Sequence, residues 1–276
     1  MADMTVVKVP QWQGARTERA ELLPRGADLI ARTLPNAQVT PVVVPREAGE
    51  LCNGVHGLEV LAAVAEDVRV ALADAGTGLT LTAGGDCGVE LEPVAAAAAR
   101  CGRELAVVWF DAHGDLNTPD SSPSGAFHGM VLRTLLGDGP SELVPPRPLD
   151  PQQVVLAGTR ALDPEEGEYI ERVGLRHVAV ADLLAGPDRL VESVAGTGAT
   201  AVYVHIDLDV LDPSAFRSLN CPEEDGLSVA ALRDAVQALT GRFTLAGLGI
   251  TEYAPADQAD QDTLTALVPD LLPRRA

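Results

Sequence analysis

Four carboxylates and an imidazole stand in two short runs of alternating residues: Asp111, His113 and Asp115, then Asp207 and Asp209. In extended chain, alternate side chains point to one side of the backbone, so each run offers its polar groups together. Four buried carboxylates would repel one another or take up protons unless a cation lay between them. An oxygen-rich donor set with one or two imidazoles suits Mn²⁺ better than Zn²⁺. A third segment, Gly84-Gly85-Asp86-Cys87, adds a soft thiol, and Glu252 a further carboxylate.

Each of these segments ends a run that reads as a buried strand. Thr5–Val9, Leu79–Ala83, Leu105–Phe110, Val154–Ala157, Ala201–Ile206 and Leu245–Ile250 are continuous, apolar and rich in Val, Ile and Leu. Parallel strands covered on both faces require that continuity. Between them, Leu58, Leu61, Val64, Val68 and Leu72 recur at helical spacing, as do Val229, Leu232, Val236 and Leu239. The alternation predicts a three-layer α/β/α sandwich around a mostly parallel sheet, with residues 1–276 forming a single domain. In such sheets ligands collect at the carboxyl ends of the strands, where all four segments fall. Gly137–Asp150, with its prolines and glycines, reads as a surface loop.

The composition narrows the partners. A formal net charge of −20 argues against nucleic acid and anionic membranes, which would be repelled. The start of the chain lacks the basic and apolar pattern of a secretory signal, and no apolar run is long enough to span a bilayer. Cys52, Cys87, Cys101 and Cys221 show no zinc-finger spacing; Cys52 and Cys101 read as plain reduced thiols, while Cys87 and Cys221 stand apart because of their neighbours. A cytoplasmic location follows as the expectation.

The motifs GGDC (84–87), DAHGDLNTP (111–119), SGAFHGM (124–130), HIDLDVLDP (205–213) and Ile250-Thr251-Glu252, in this order, resemble the arginase–agmatinase (ureohydrolase) family. The resemblance implies an arginase-like fold and a manganese-dependent C–N hydrolase acting on linear amidines. It implies two Mn²⁺ ions bridged by a hydroxide that attacks a guanidinium carbon. Carried over by position, Asp111 and Asp207 would bridge both ions. His113 and Asp209 would complete one site, and Asp115 with residue 87 the other. His128 matches the proton-shuttle histidine, and Glu252 the carboxylate that orients the guanidinium. Asn117 and Ser124 align with residues that hold an α-carboxylate, Asp163 and Glu166 with those that receive an α-amino group, Glu166 through water. An α-amino-acid substrate is expected, since agmatine would leave Asn117 and Ser124 unpaired. Family members are commonly trimers or hexamers, so a homo-oligomer is implied too.

Cys87 departs from the family, which carries histidine there. A thiol is a poor match for Mn²⁺, so one firmly bound Mn²⁺ and a weakened second site are expected. The GGDC motif resembles the N-hydroxyarginine hydrolase branch associated with D-cycloserine biosynthesis, implying conversion of N-hydroxy-L-arginine to L-ornithine and hydroxyurea. An N-hydroxylated guanidine is less basic than guanidinium and needs less help from a second cation. An ordinary arginase or other guanidino-acid hydrolase that tolerates Cys87 is the first alternative. A catalytically silent ligand-binding relative is the second, disfavoured because His128, Glu252 and the four carboxylates are all kept. Ala126 replaces an arginase asparagine, and Asn220–Gly226 is unusually acidic.

Overall fold

Buried apolar runs in this chain alternate with amphipathic ones, and a single sheet collects the first kind while two helical layers supply the second. The structure is a computed structural model and describes residues 4–273. Its strands are β1 (Met4–Val9), β2 (Gln38–Pro41), β3 (Leu51–Cys52), β4 (Val55–His56), β5 (Leu79–Gly84), β6 (Leu105–Phe110), β7 (Val154–Ala157), β8 (Arg176–Val178), β9 (Ala201–Asp207) and β10 (Thr244–Thr251). Eight of them form one sheet in the order β2-β1-β5-β10-β9-β6-β7-β8, every neighbouring pair parallel, and β3 and β4 make a separate hairpin.

The helices are α1 (Leu23–Arg32), α2 (Leu58–Asp74), α3 (Leu91–Cys101), α4 (Val131–Leu135), α5 (Pro164–Val173), α6 (Val180–Ala185), α7 (Asp188–Ala195), α8 (Val229–Arg242) and α9 (Gln258–Asp270). Strand alternation assigns them to two layers. Val202, Val204 and Ile206 of β9 join a core with Ile30, Leu183, Leu190, Leu232 and Leu264, from α1 and α6–α9. Ala201 and Tyr203 join the opposite core with Leu61, Val94, Leu132 and Tyr169, from α2–α5. Each fully buried Val, Leu or Ile contributes roughly 1.5–3 kcal/mol, and strands apolar on both faces draw that from both layers. The α/β/α sandwich predicted from the sequence is present, with a wholly parallel sheet among the described residues.

All six predicted strands occur, within two residues at either end. The two edge strands were not predicted, because they lack continuous hydrophobicity. β2 is largely exposed and holds Pro41, and β8 is three residues long. Polar, short edges resist pairing with other chains. Residues 137–150 contain no helix or strand, as expected, yet Leu143 and Leu149 are buried in the α2–α5 core, so the segment is anchored.

Two neighbours in sequence, β5 and β6, are separated in the sheet by β10 and β9. The chain thus turns to opposite halves of the sheet after β5, which opens a crevice at the strand ends. Register puts the ends of these four strands level: Ala83 pairs with Ile250, Thr251 with Asp207, and Ile206 with Phe110.

Candidate metal centre and substrate cleft

Leaving β6, the chain does not remain extended. The His113 amide donates to Asp111 Oδ1 at 2.6 Å, and Ala112 N donates to Asp209 Oδ1 at 3.0 Å. Asp115 has a left-handed backbone, φ 52°. The extended run expected over Asp111–Asp115 is therefore a bend. Short carboxylates capture nearby backbone N–H groups and compete with extended structure. After β9 the same device recurs, with Asp209 N donating to Asp207 Oδ1 at 2.8 Å. Asp115, Asp207 and Asp209 still line the crevice.

Asp111, Asp115, Asp207 and Asp209 are all buried. Asp111, His113 and Asp209 bring ligand atoms within 4.8 Å of one another; so do Cys87, Asp207 and Glu252, and so do Cys87, Asp111, Asp115 and His205. His113 Nδ1 lies 3.0 Å from Asp209 Oδ2 and 3.5 Å from Asp111 Oδ1, while its Nε2 faces Glu223 at 3.8 Å. Asp115 Oδ2 is buried with no hydrogen-bond partner, and Asp209 Oδ2 meets only the His113 ring.

The electrostatics have one consistent direction. Burial, then the charges of neighbouring aspartates, pushes Asp207 and Asp115 well above the ordinary carboxylate range, and Asp111 upward. Burial acts against the charged form of Asp209 as well, but His113 outweighs it and holds that carboxyl low. His113 is raised: burial opposes its charge, and Asp209 and Asp111 overcome that opposition. Cys87 is 1% exposed, and burial followed by the charge of Asp207 pushes its thiol well up. Partnerless buried oxygens, mutual repulsion and an oxygen-rich donor set are what a bound divalent cation would relieve. The residues present fit such an ion.

Behind the carboxylates, Cys87 Sγ lies 3.2 Å from Asp207 Oδ2, 3.1 Å from Thr251 Oγ1 and 3.6 Å from His205 Nε2. The Gly84-Gly85 pair makes this approach sterically feasible. A Cβ on Gly85 would fall 1.7 Å from the Gln11 carbonyl oxygen. Asp86 then turns away and accepts from Gln11 Nε2, Gly14 N and Gly88 N, each at 2.9 Å. Burial, then the charge of Glu252, raises its pKa to about 6.

Glu252 follows β10 with a left-handed backbone, φ 61°, and is 1% exposed. Non-glycine residues in that region cost about 1–3 kcal/mol and collect at functional sites. Its Oε1 accepts from Cys87 N at 2.9 Å and faces His128 Nδ1 at 3.2 Å, and Oε2 accepts from Asn220 Nδ2 at 2.7 Å. Glu252 thus grips the His128 ring from behind. Burial by itself would lower the His128 pKa, but Glu252 and Asp86 reverse this and raise it. That sign means stability from the pair is present below the unfolded value of about 6.5 and is lost as pH rises through the folded pKa. In the metal-free protein, NMR titration of His128 is expected to give a midpoint above that value, and Glu252→Gln to move it down. An unshifted midpoint in both proteins would remove Glu252 as its partner.

In front lies a cleft of about 390 Å³, lined among others by His113, Asp115, Asn117, Ser124, His128, Asp163 and Glu166. The four residues expected to read the amino-acid end share this wall. Asn117 Nδ2 donates to Asp163 Oδ2 at 2.8 Å, and Asn117 Oδ1 accepts from Ser121 Oγ at 2.8 Å. Ser124 is exposed at the mouth. Glu166 accepts from Leu116 N at 2.8 Å and Asp163 N at 2.9 Å. It joins the start of α5 to the turn after Asp115, and Asp163 sits at the N-cap with Pro164 next. Glu166, expected to reach a substrate amine through water, lines the cleft while both its oxygens accept from backbone N–H groups.

Three residues in the site went unnoticed in the sequence. Arg160 donates to the carbonyls of Asp209, Glu223 and Glu224 and pins the acidic loop beside His113. Asn220 holds Glu252, as described. His205 was visible as the polar residue two before Asp207 on the same strand face, inside an otherwise apolar run.

With this geometry in view, likeness to known proteins has a definite meaning. Residues 27–269 match the model of the arginase family, and the chain belongs to that family. An arginase of Staphylococcus aureus (strain COL) is 30% identical over 194 residues, covering 66% of this chain and 63% of that protein. The match thus spans under two thirds of that relative's length. The crystal structure of Entamoeba histolytica arginase in complex with L-ornithine superposes with a TM-score of 0.89 at 23% identity, over 98% of both chains. Arginase from Bacillus subtilis subsp. subtilis str. 168 gives 0.84 at 25% identity, over 99% of both. No helix among the described residues is long and apolar enough to cross a membrane.

Proposed function

We propose that this chain is a metal-dependent amidinohydrolase of an α-amino acid, and that its substrate is N-hydroxy-L-arginine, cleaved to L-ornithine and hydroxyurea. The observation that carries the reading is the cluster of four buried aspartates with His113 at the foot of a polar cleft. Membership of the arginase family supports hydrolysis of a guanidino group. Mn²⁺ is the ion proposed for the oxygen-rich pocket of Asp111, His113, Asp207 and Asp209. Cys87, with Asp115, makes the neighbouring pocket a poorer one for Mn²⁺.

A bound divalent cation supplies one thing, a water of lowered pKa that can attack near neutrality. The side chains do the rest. Asp163 and Asn117 receive the α-amino and α-carboxylate groups at the wall, with Ser124 at the mouth. This aligns the guanidino carbon with the aspartates. As the water oxygen bonds to that carbon, the bond to the ornithine side-chain nitrogen breaks. His128, whose pKa Glu252 raises, gives a proton to the leaving nitrogen. Glu252 also orients the guanidino nitrogens. One proton of the water restores the one His128 gave and the other ends on the hydroxylated nitrogen as the carbonyl forms, so the products are the amine and hydroxyurea with one water consumed.

Ordinary arginine hydrolysis is the second reading, favoured by the arginase relatives. Side-by-side kcat/KM values for arginine and N-hydroxyarginine, with urea and hydroxyurea identified, separate the two. The proposal expects at least about a tenfold preference for the hydroxylated substrate, about 1.4 kcal/mol in the barrier. Equal values, or a preference for arginine, would replace it with the second reading.

Asp163→Ala is expected to raise KM about tenfold for the amino acid with metal content unchanged, because the change removes the amine's partner and the acceptor of Asn117 Nδ2 but no metal ligand. The lost α5 N-cap adds about 1 kcal/mol of destabilisation. Loss of metal with normal KM would show that Asp163 belongs to the metal centre instead.

A further inference from the structure

Glu90 and His205 are fully buried, and the mechanism above uses neither. Glu90, in the turn that leads into α3, faces His205 of β9 over one face of the sheet, His205 Nδ1 3.4 Å from Glu90 Oε2. Neither oxygen of Glu90 has a conventional hydrogen bond. Space for the carboxylate is made by Gly249 of β10, where a Cβ would fall 2.0 Å from Glu90 Oε2. The other ring edge of His205 points at the rim, with Nε2 3.6 Å from Cys87 Sγ. The ring is fixed by stacking on Trp109, centroids 3.6 Å apart, and Trp109 Nε1 in turn donates to Asp111 Oδ2 at 3.1 Å. His205 brings a ligand atom within 4.8 Å of those of Cys87, Asp111 and Asp115, and Asp115 Oδ2 is buried without a partner.

A carboxylate behind one ring nitrogen, with the other nitrogen facing acidic and thiol ligands, is how proteins orient a metal-binding imidazole. A structural ion pair is a weaker account. Two fully buried charges with few other hydrogen bonds repay little of their desolvation. The set also differs chemically from the neighbouring pocket of Asp111, His113 and Asp209. One sulfur, one nitrogen and two carboxylates match the tetrahedral preference of zinc-like ions, not Mn²⁺.

We propose that His205, oriented by Glu90, joins Cys87, Asp111 and Asp115 as a second cation pocket, selective for a softer divalent ion such as Zn²⁺ or Co²⁺ over Mn²⁺. The imidazole absent at position 87 is thereby supplied from β9. This rests on the reading of the aspartate cluster as a metal centre, and it makes the two pockets unlike in ion preference.

The test is a titration of the metal-free full-length protein with Co²⁺ alone, following thiolate-to-cobalt charge-transfer absorption. One equivalent is expected to produce the band, Zn²⁺ to abolish it, and excess Mn²⁺ to leave it. Cys87→Ser should remove the band. His205→Gln and Glu90→Gln should each weaken Co²⁺ binding about 10–100-fold, while Mn²⁺ bound beside Asp209 keeps its electron spin resonance signal. That retained signal reports an intact fold, and Glu90→Gln preserves volume should His205→Gln unfold. Absence of a band in the wild type, displacement by Mn²⁺, or unchanged Co²⁺ affinity in both glutamine variants overturns the proposal. Mn²⁺ binding that survives Asp209→Asn would instead overturn the metal-centre reading, so the two failures are distinguishable.

Discussion

Asp209→Asn is expected to abolish turnover and to release the Mn²⁺ proposed for the pocket of Asp111, His113, Asp207 and Asp209. Asp209 Oδ1 is committed to the Ala112 amide, leaving Oδ2, 3.0 Å from His113 Nδ1, as the oxygen free for a cation. An asparagine must place its NH₂ at one of these two positions. Against Ala112 it sets donor against donor; in the other orientation it turns a donor toward the cation. It also deletes the charge that overcomes burial to raise His113. Removing one partner of a buried charged set costs about 3–5 kcal/mol, which is roughly 10²–10⁴ in metal affinity. Elemental analysis and ornithine release, measured together, check both effects. Asp115→Asn is expected to cost much less Mn²⁺, because Asp115 serves the pocket holding Cys87. Equal losses in the two variants would show that Mn²⁺ fills both pockets.

Cys87→His is expected to raise Mn²⁺ content from about one towards two per chain and to increase arginine hydrolysis at least about tenfold, with a smaller change for N-hydroxyarginine. The resemblance to the family implies histidine where this chain has a thiol, and imidazole is the better Mn²⁺ ligand. A second Mn²⁺ would assist both water activation and the charge developing on the attacked carbon. The larger side chain enters a filled space, with Asp207, Thr251 and His205 within 3.6 Å of the sulfur. Overpacking of about 1–3 kcal/mol is therefore expected as a lowered melting temperature. A folded histidine variant that gains Mn²⁺ without gaining arginine activity would show that residue 87 does not set substrate choice.

Most of the sheet was readable because β5, β6, β9 and β10 are largely buried on both faces and so are mostly apolar. Their apolar runs point directly to the rim, and the polar residues that end them are the candidate site. The edges were not readable, since β2 and β8 gain little from packing and their residues are chosen by solvent. Spacing named the carboxylates but not their local geometry. Asp111 and Asp207 bend the chain by taking backbone N–H groups, where alternation alone predicts extension. His205 escaped notice because it interrupts an apolar strand singly, and its meaning depends on Glu90, which is distant in sequence. Glu166 was read as receiving the amine through water, and the structure adds that its two oxygens tie the start of α5 to Leu116. A single carboxylate in a motif does not disclose which partner it has.

Removal and return of metal is the most direct measurement. Protein stripped by a chelator should release no ornithine from N-hydroxyarginine. Stepwise Mn²⁺ should then restore ornithine and hydroxyurea together, with the first equivalent recovering most of the rate. Undiminished turnover in protein shown by elemental analysis to be metal-free would contradict the account, as would Mn²⁺ binding to full occupancy with no product formed from either guanidino substrate.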